Sequence, residues 1–180
     1  MARITVNETG TQPLVLLSTT IGNTANIANG TITGANALSV ICLQDVTITA
    51  STGVFSWADF CSIDMNKLPT PADNEISMNV VIDPETYFGN ANAAANSAAN
   101  LGMAGLSQDK TPVQFLVVWN NSNVAAVIDG NIGNLTDGTV WSSGQGFITN
   151  LAPTASPEAP VWVTPCTIAV DGTMYNGREI

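Results

Sequence analysis

The chain has 180 residues, of which 45% are hydrophobic and only 10% are charged, and it contains no histidine. Fourteen acidic residues against four basic ones give a formal net charge of −10 at pH 7. This balance disfavours nucleic-acid binding, which needs Lys and Arg at the phosphates. The absence of His removes the usual catalytic triads and His-based metal sites.

Three cysteines, Cys42, Cys61 and Cys166, are too few and too widely spaced for a zinc motif. An odd number also leaves one thiol unpaired in any disulfide scheme. Residues 1–6 lack the apolar stretch of a signal peptide, and the apolar run at residues 14–17 is too short to span a membrane. We therefore expect reduced, mostly buried thiols in a protein that is made in a cytoplasm and has no membrane partner.

Short strands are predicted along most of the chain. Residues 46–49 and 76–83 alternate between apolar and polar side chains, which is typical of half-buried strands. Further strands, rich in β-branched and aromatic residues, are predicted at 38–43, 113–119, 124–132, 140–151 and 161–170. Turns are predicted at Gly53, at Pro69-Thr70-Pro71, at residues 142–146 and at Asp171-Gly172.

One segment predicts a helix. Asp83-Pro84-Glu85-Thr86 has the residues of a helix entrance or of a turn; in a helix, Asp would be the cap and Pro would take the first helical position. After it, Asn92, Asn96 and Asn100 recur every four residues, so they would form one polar stripe on a helix. We predict a helix at about residues 90–106, with a flexible Ala/Asn linker as the alternative.

The predicted organisation is an extended N-terminal arm at residues 1–36 and one domain at residues 37–180. The fold class is mainly β: a β-sandwich or barrel with one flanking α-helix. A proline-rich connector at residues 152–160 is expected to be extended and exposed.

No group of residues makes a convincing catalytic site. Asp83 and Glu85 could act as a general acid and base, but two acids at a helix start are more typical of a cap and a dipole partner. Asp73, Glu75 and Asp83 could surround calcium, although their spacing matches no EF-hand loop. We expect neither enzymatic activity nor a bound cofactor or metal.

Four tryptophans lie in or beside predicted strands, and few surface charges are available to keep free monomers apart. Aromatic side chains are enriched at protein–protein interfaces. The composition therefore favours a surface that is covered by other copies of the chain.

The order of these motifs resembles the major tail tube proteins of long-tailed, siphovirus-like bacteriophages. The likeness lies in residues 43–48 and 57–61, in the strand and acidic-Pro turn at 75–85, and in the strand at 114–121. It continues through residues 146–151 and 161–172, so it covers roughly residues 38–175. The likeness lies in order and pattern, and the Asn120-Asn121 pair stands where the family often has an Asp-Gly-like turn.

The resemblance implies a structural virion protein that assembles into stacked, usually hexameric rings around a channel for the genome. Six copies of a chain with net charge −10 would give each ring a charge of about −60. The implied partners are the chain itself and the tail terminator, tape-measure and tail-tip proteins, and DNA would pass without specific binding. The implied location is the virion tail, assembled in the host cytoplasm.

Within this interpretation, candidate residues can be named for two surfaces. Candidates for the channel lining are Asp73, Glu75 and Asp129. The arm and the loops at residues 53–64 and 151–160 are expected to join subunits and rings, with candidate contacts at Phe55, Trp57, Phe60, Leu151, Pro153 and Trp162. A capsid decoration protein or another filament or fibre protein is the first alternative, and a β-sandwich enzyme or carbohydrate-binding module is the second.

Overall fold

The computed structural model describes residues 12–32, 37–40, 43–57, 65–121, 139–155 and 161–178. Its secondary structure consists of seven strands and three short helices. The strands are β1 (Gln12–Ser18), β2 (Leu38–Val40), β3 (Leu43–Trp57), β4 (Asn66–Val81), β5 (Val113–Asn121), β6 (Val140–Leu151) and β7 (Val163–Arg178). The helices are α1 (Thr24–Ala28), α2 (Pro84–Phe88) and α3 (Ala98–Gln108).

The strands form one antiparallel sheet in the order β2-β1-β5-β6-β7-β4-β3. The sheet is strongly curved, since residues of β1 and β3 approach within 8 Å although four strands separate them in the sheet order. The predicted mainly β fold with a flanking helix is confirmed. The described residues contain three short helices, whereas the sequence predicts one longer helix.

Apolar residues lie on both faces of the central strands. In β1, Val15 and Leu17 belong to the main core, whereas Leu14 and Leu16 belong to a smaller cluster on the opposite face. The main core lies between the concave face of the sheet and the helices α2 and α3, and it includes Phe115, Met103 and Leu106. Because β1 and β5 are covered on both faces, their sequences are continuous apolar runs without alternation.

A buried amide holds α1 over the smaller cluster. Gln114 is fully buried, its Oε1 accepts a hydrogen bond from the backbone N–H of Gly22 (2.9 Å), and its Nε2 donates to the carbonyl of Thr31 (2.7 Å). The Ser143 hydroxyl donates to the carbonyl of Ile27 within α1. These bonds satisfy polar groups that would otherwise be buried without partners.

The helix entrance predicted at Asp83 is confirmed. Asp83 precedes α2, and its carboxylate accepts hydrogen bonds from the backbone N–H of Thr86 (3.0 Å) and from the Thr86 hydroxyl (3.2 Å). The interpretation of Asp83 as a cap therefore explains this residue without a catalytic role.

The helix predicted at about residues 90–106 begins later, at Ala98, and ends at Gln108. Residues 90–97 form turns in which Asn side chains bond to nearby backbone: the Asn92 N–H donates to Asn90 Oδ1 (2.9 Å), and Asn96 has a positive φ of 62°. The polar stripe of Asn residues is therefore absent. Asn side chains compete with helical hydrogen bonds in this way, and sequence periodicity does not report it.

Four predicted turns lie inside strands. Gly53 lies within β3, Pro69-Thr70-Pro71 within β4, residues 142–146 within β6, and Asp171-Gly172 within β7. Among the described strands, only β3 pairs with this part of β4, and such an edge position tolerates proline. Gly172, with φ of 84°, lies in an irregular stretch where Ser143 pairs with Tyr175 and Gln145 with Asp171.

Part of the predicted N-terminal arm belongs to the sheet. Within residues 1–36, β1 lies between β2 and β5, and α1 packs on the sheet. Residues 1–11 of the predicted arm lie outside the described residues. The strand predicted at 124–132 and the thiols Cys42 and Cys61 also lie outside them. None of the helices in the described ranges is long and apolar enough to cross a membrane.

Candidate assembly surfaces

A long two-stranded ribbon extends from the sheet. β3 and β4 pair along their whole length, from Leu43 with Val80 to Trp57 with Asn66, but β7 pairs with β4 only from Glu75 to Val81. The distal part, residues 49–57 and 66–74, which we call the ribbon, therefore leaves the rest of the sheet. At about 3.4 Å per residue it is roughly 30 Å long.

The ribbon has no core of its own. Side chains 49–57 and 67–73 are all exposed. Phe55 and Leu68 are cross-strand partners, and Trp57 follows two residues after Phe55 on the same side of the strand. The rings of Phe55 and Trp57 stack with centroids 5.8 Å apart. Phe55, Trp57 and Leu68, exposed by 59%, 41% and 57%, form what we call the apolar patch.

One face of the sheet is polar and carries acidic groups. Directly opposed residues share a face of an antiparallel sheet, and the opposed pairs here are Asp45 with Asn79, Thr47 with Ser77, Thr49 with Glu75, and Ser51 with Asp73. Their neighbours in sequence, such as Ile76 and Met78, enter the main core on the other face. We call this surface, built from these four opposed pairs together with Thr167 of β7, the polar sheet face.

Two predicted channel-lining residues lie together on this face. Asp73 and Glu75 are two residues apart on β4 and are both exposed, and the Ser77 hydroxyl donates to Glu75 Oε1 (3.4 Å). Asp129 lies outside the described residues. A third acidic residue on this face, Asp45, is not among the predicted channel-lining residues. Its carboxylate accepts hydrogen bonds from the backbone N–H of Asn79 (3.1 Å) and from the Asn79 Nδ2 (2.8 Å).

Asp45 could have been found from the sequence. Val46 and Ile48 alternate with Thr47 and Thr49, so the same period of two places residue 45 with the polar set. The alternation predicts the strand at residues 46–49, and its extension by one residue would have included the acid that precedes it.

The predicted subunit contacts occupy different environments. Phe55 and Trp57 lie in the apolar patch. Pro153 is exposed, and Trp162 is 54% exposed. Leu151 is half-buried and packs against the main core, so packing within the domain already accounts for it. Phe60 lies outside the described residues.

The acids considered for catalysis or calcium do not gather into a site. Asp83 caps α2, whereas Asp73 and Glu75 lie on the polar sheet face. Across the part of the chain that the structure describes, no three potential metal-ligating side chains come together. The Cys166 thiol is buried in the main core, and burial raises its pKa to about 12, which makes it a poor nucleophile.

No protein-family model and no curated protein matches the sequence. Solved structures do match. A chain from the virion of a native gene transfer agent particle shares 12% identity with a TM-score of 0.50, over 78% of this chain and 88% of that one. A chain of the SPP1 tail tube, determined by solid-state NMR and cryo-EM, shares 14% identity with a TM-score of 0.50, over 93% of this chain and 77% of that one.

At these identities the likeness concerns the fold. The seven-stranded sheet with its flanking helices is similar in fold to the SPP1 tail tube chain, as the resemblance implied.

Proposed function

We propose that this chain is a structural virion subunit that assembles into stacked rings, hexameric in copy number, and so forms the tube of a phage tail. The exposed ribbon is the observation that carries this proposal. Similarity of fold to an SPP1 tail tube chain supports it independently of the ribbon.

The ribbon needs a partner for physical reasons. A two-stranded hairpin is marginally stable at best in water unless a third strand or a packed layer covers it. Here the ribbon extends roughly 30 Å with every side chain from 49 to 57 exposed. Burial of an aromatic or leucine side chain contributes about 1.5–3 kcal/mol, so covering the apolar patch with a neighbouring copy would stabilise both the ribbon and the contact.

In the proposed tube the polar sheet face lines the channel. The described part of this face presents Asp45, Asp73 and Glu75 among hydroxyl and amide groups, and it presents no basic side chain. Such a wall repels DNA, and salt screens the repulsion within roughly 8–10 Å. DNA would therefore pass without specific binding.

The proposed location is the virion tail, with assembly in the host cytoplasm. At its ends the tube would contact terminator and tail-tip proteins, and its channel would hold the tape-measure protein before DNA passes. Because a stacked ring presents different surfaces at its two ends, one chain can serve all these contacts.

Substitution within the apolar patch tests the proposal. Phe55→Ser with Trp57→Ser removes two exposed rings that belong to neither core cluster of the described residues, so the monomer is expected to keep its Tm while losing assembly. Phe55→Tyr with Trp57→Phe is the matched control, since it keeps two aromatic rings in the same positions. Sedimentation and electron microscopy are the measurements.

The expected result is rings or open-ended tubes of constant diameter for the unaltered chain and the control, and monomers for the double serine variant. If the serine variant assembles as efficiently as the unaltered chain, the apolar patch of the ribbon does not join the copies. Monomers or trimers that bind only to capsids would identify a decoration protein.

A further inference from the structure

β7 has an open edge where the ribbon leaves the sheet. β4 pairs with β7 from Glu75 opposite Ala169 to Val81 opposite Val163. β7 continues to Arg178 and pairs there with β6 alone. Residues 171–178, which we call the open edge, therefore have no second neighbour among the described residues. Unpaired backbone N–H and C=O groups along such an edge are a template for another strand.

Side-chain space is also available beside the open edge. Met174 packs partly against the main core and Tyr175 partly against the smaller cluster, one on each face. A cleft lies next to it, lined by Thr24, Ile27, Gln145, Asp171, Thr173 and Tyr175. Strand addition uses both features, since backbone bonds supply affinity and pockets accept alternate side chains.

We propose that residues 2–7 of a second copy add to the open edge as an extra strand. This inference rests on the proposed function and specifies one of its contacts. The segment Ala2-Arg3-Ile4-Thr5-Val6-Asn7 alternates polar and apolar residues from Arg3 onward and is rich in β-branched side chains. Ile4 and Val6 fall on one face of such a strand, where they can meet the cleft or Met174.

The position of Gln12 indicates that the strand added to the open edge comes from a second copy and not from the same chain. Gln12 pairs with Asn121 at the end of β5, and the sheet pairing places this end beside Val140 and Arg178. Within one copy, the chain before Gln12 would have to cross four strand spacings, about 19 Å. That crossing takes roughly six of the eleven residues, which leaves too few to cover the open edge.

Crosslinking between two populations of the protein tests the inference. Both carry Cys42→Ser and Cys61→Ser, and Cys166 is retained because its buried thiol is unreactive. One population adds Thr5→Cys and the other adds Thr173→Cys, at an exposed position on the open edge. Gln108→Cys, exposed at the end of α3, is the matched control acceptor. A short bismaleimide joins the mixed populations after assembly.

The expected result is a crosslinked dimer from position 5 to position 173, at least about tenfold more abundant than the dimer to position 108. Rings or tubes without this crosslink would overturn the inference and leave the proposed function standing. A crosslink that forms only within a single chain carrying both Thr5→Cys and Thr173→Cys would also overturn it. Failure of the unaltered chain to form rings or tubes at any concentration would overturn both.

A backbone substitution gives a second readout. Thr5→Pro removes a backbone N–H that the added strand could use in hydrogen bonding to the open edge, whereas Thr5→Ala keeps this N–H. We expect half-assembly of Thr5→Pro to need a protein concentration at least about tenfold higher than half-assembly of Thr5→Ala. A tenfold change corresponds to the loss of roughly 1.4 kcal/mol of contact free energy. Equal assembly of the two variants would contradict strand addition by this segment.

Discussion

At the scale of single residues, a polar side chain fixes the position of α1 over the sheet. Gln114 is fully buried and uses both ends of its amide on the backbone that flanks α1, at Gly22 and at Thr31. Both backbone groups would lose their partner if the amide were removed.

We predict that Gln114→Met, which keeps the length of the side chain, lowers the free energy of unfolding by about 1 kcal/mol or more. The reason is that two partly buried hydrogen bonds are lost, each with a net contribution of roughly 0.5–1.5 kcal/mol. Urea denaturation measures the effect, and Gln108→Met at an exposed position is the control, expected to lie within about 0.5 kcal/mol of the unaltered chain. Equal stability of the two variants would show that the amide bonds contribute nothing net.

Cys166 predicts a specific pH dependence. Burial raises its pKa from 9.0 to about 12 in the folded state. Since the folded pKa lies above the unfolded one, the contribution of the neutral thiol is complete below pH 9 and is lost as the pH rises toward 12. The free energy of unfolding should therefore fall less between pH 9 and pH 12 in Cys166→Ala than in the unaltered chain. Parallel pH profiles of the two proteins would contradict this.

At the scale of elements, α2 and α3 meet through two glycines. Gly89 and Gly102 have φ of 87° and 64°, and a Cβ built on Gly102 would lie 2.3 Å from the backbone nitrogen of Gly89. Gly102 also interrupts the helical geometry inside α3. The close approach of the two backbones and the positive φ both require glycine there.

We predict that Gly102→Ala lowers the free energy of unfolding by more than about 2 kcal/mol, because it combines a backbone clash with a strained φ. Gly105→Ala in the same helix is the matched control. A Cβ at Gly105 would meet only the side chain of Leu101, at 3.2 Å or more, so a much smaller change is expected. Thermal or urea unfolding of both variants measures the difference, and equal effects would refute the close-packing argument.

The sequence predicted the elements that alternation or capping defines. The strand at 76–82 and the cap at Asp83 follow from period-two alternation and from the Asp-Pro pair, which are local properties. The errors lie where local signals compete with long-range pairing. Pro69, Pro71 and Gly172 are turn residues by composition, but pairing with β3 or β6 keeps them inside strands. In segment 90–97 the error has the opposite origin. The spacing of Asn residues predicts a helix there, but hydrogen bonds between Asn side chains and the nearby backbone take the place of helical hydrogen bonds.

The candidate site was accessible from the sequence only in part. Asp73 and Glu75 are two residues apart, so their common face follows from strand geometry alone. Exposure of the whole ribbon does not follow from sequence, because it depends on where β7 stops pairing with β4, at Glu75. Pairing between strands that are distant in sequence is invisible to a local pattern.

At the scale of the whole molecule, the proposed channel predicts how charge reversal changes DNA retention. Asp73→Lys with Glu75→Lys alters the polar sheet face, and Glu85→Lys with Asp109→Lys makes the same change elsewhere, so both pairs move the net charge from −10 to −6. Tubes of the first pair should retain double-stranded DNA at low salt and release it as salt rises, because counterion release drives such binding. Retention should be unchanged in the second pair. Equal retention of DNA by the two double variants would show that the polar sheet face does not line the channel.

The central claim is that identical copies build a tube, with the polar sheet face inside and the apolar patch covered. A cryo-EM map of the purified chain at raised concentration tests this most directly. We expect stacked rings whose channel wall carries Asp45, Asp73 and Glu75, with the apolar patch buried against a neighbouring copy. A solitary particle at every concentration, or a channel lined by Lys67 and Lys110, would contradict it.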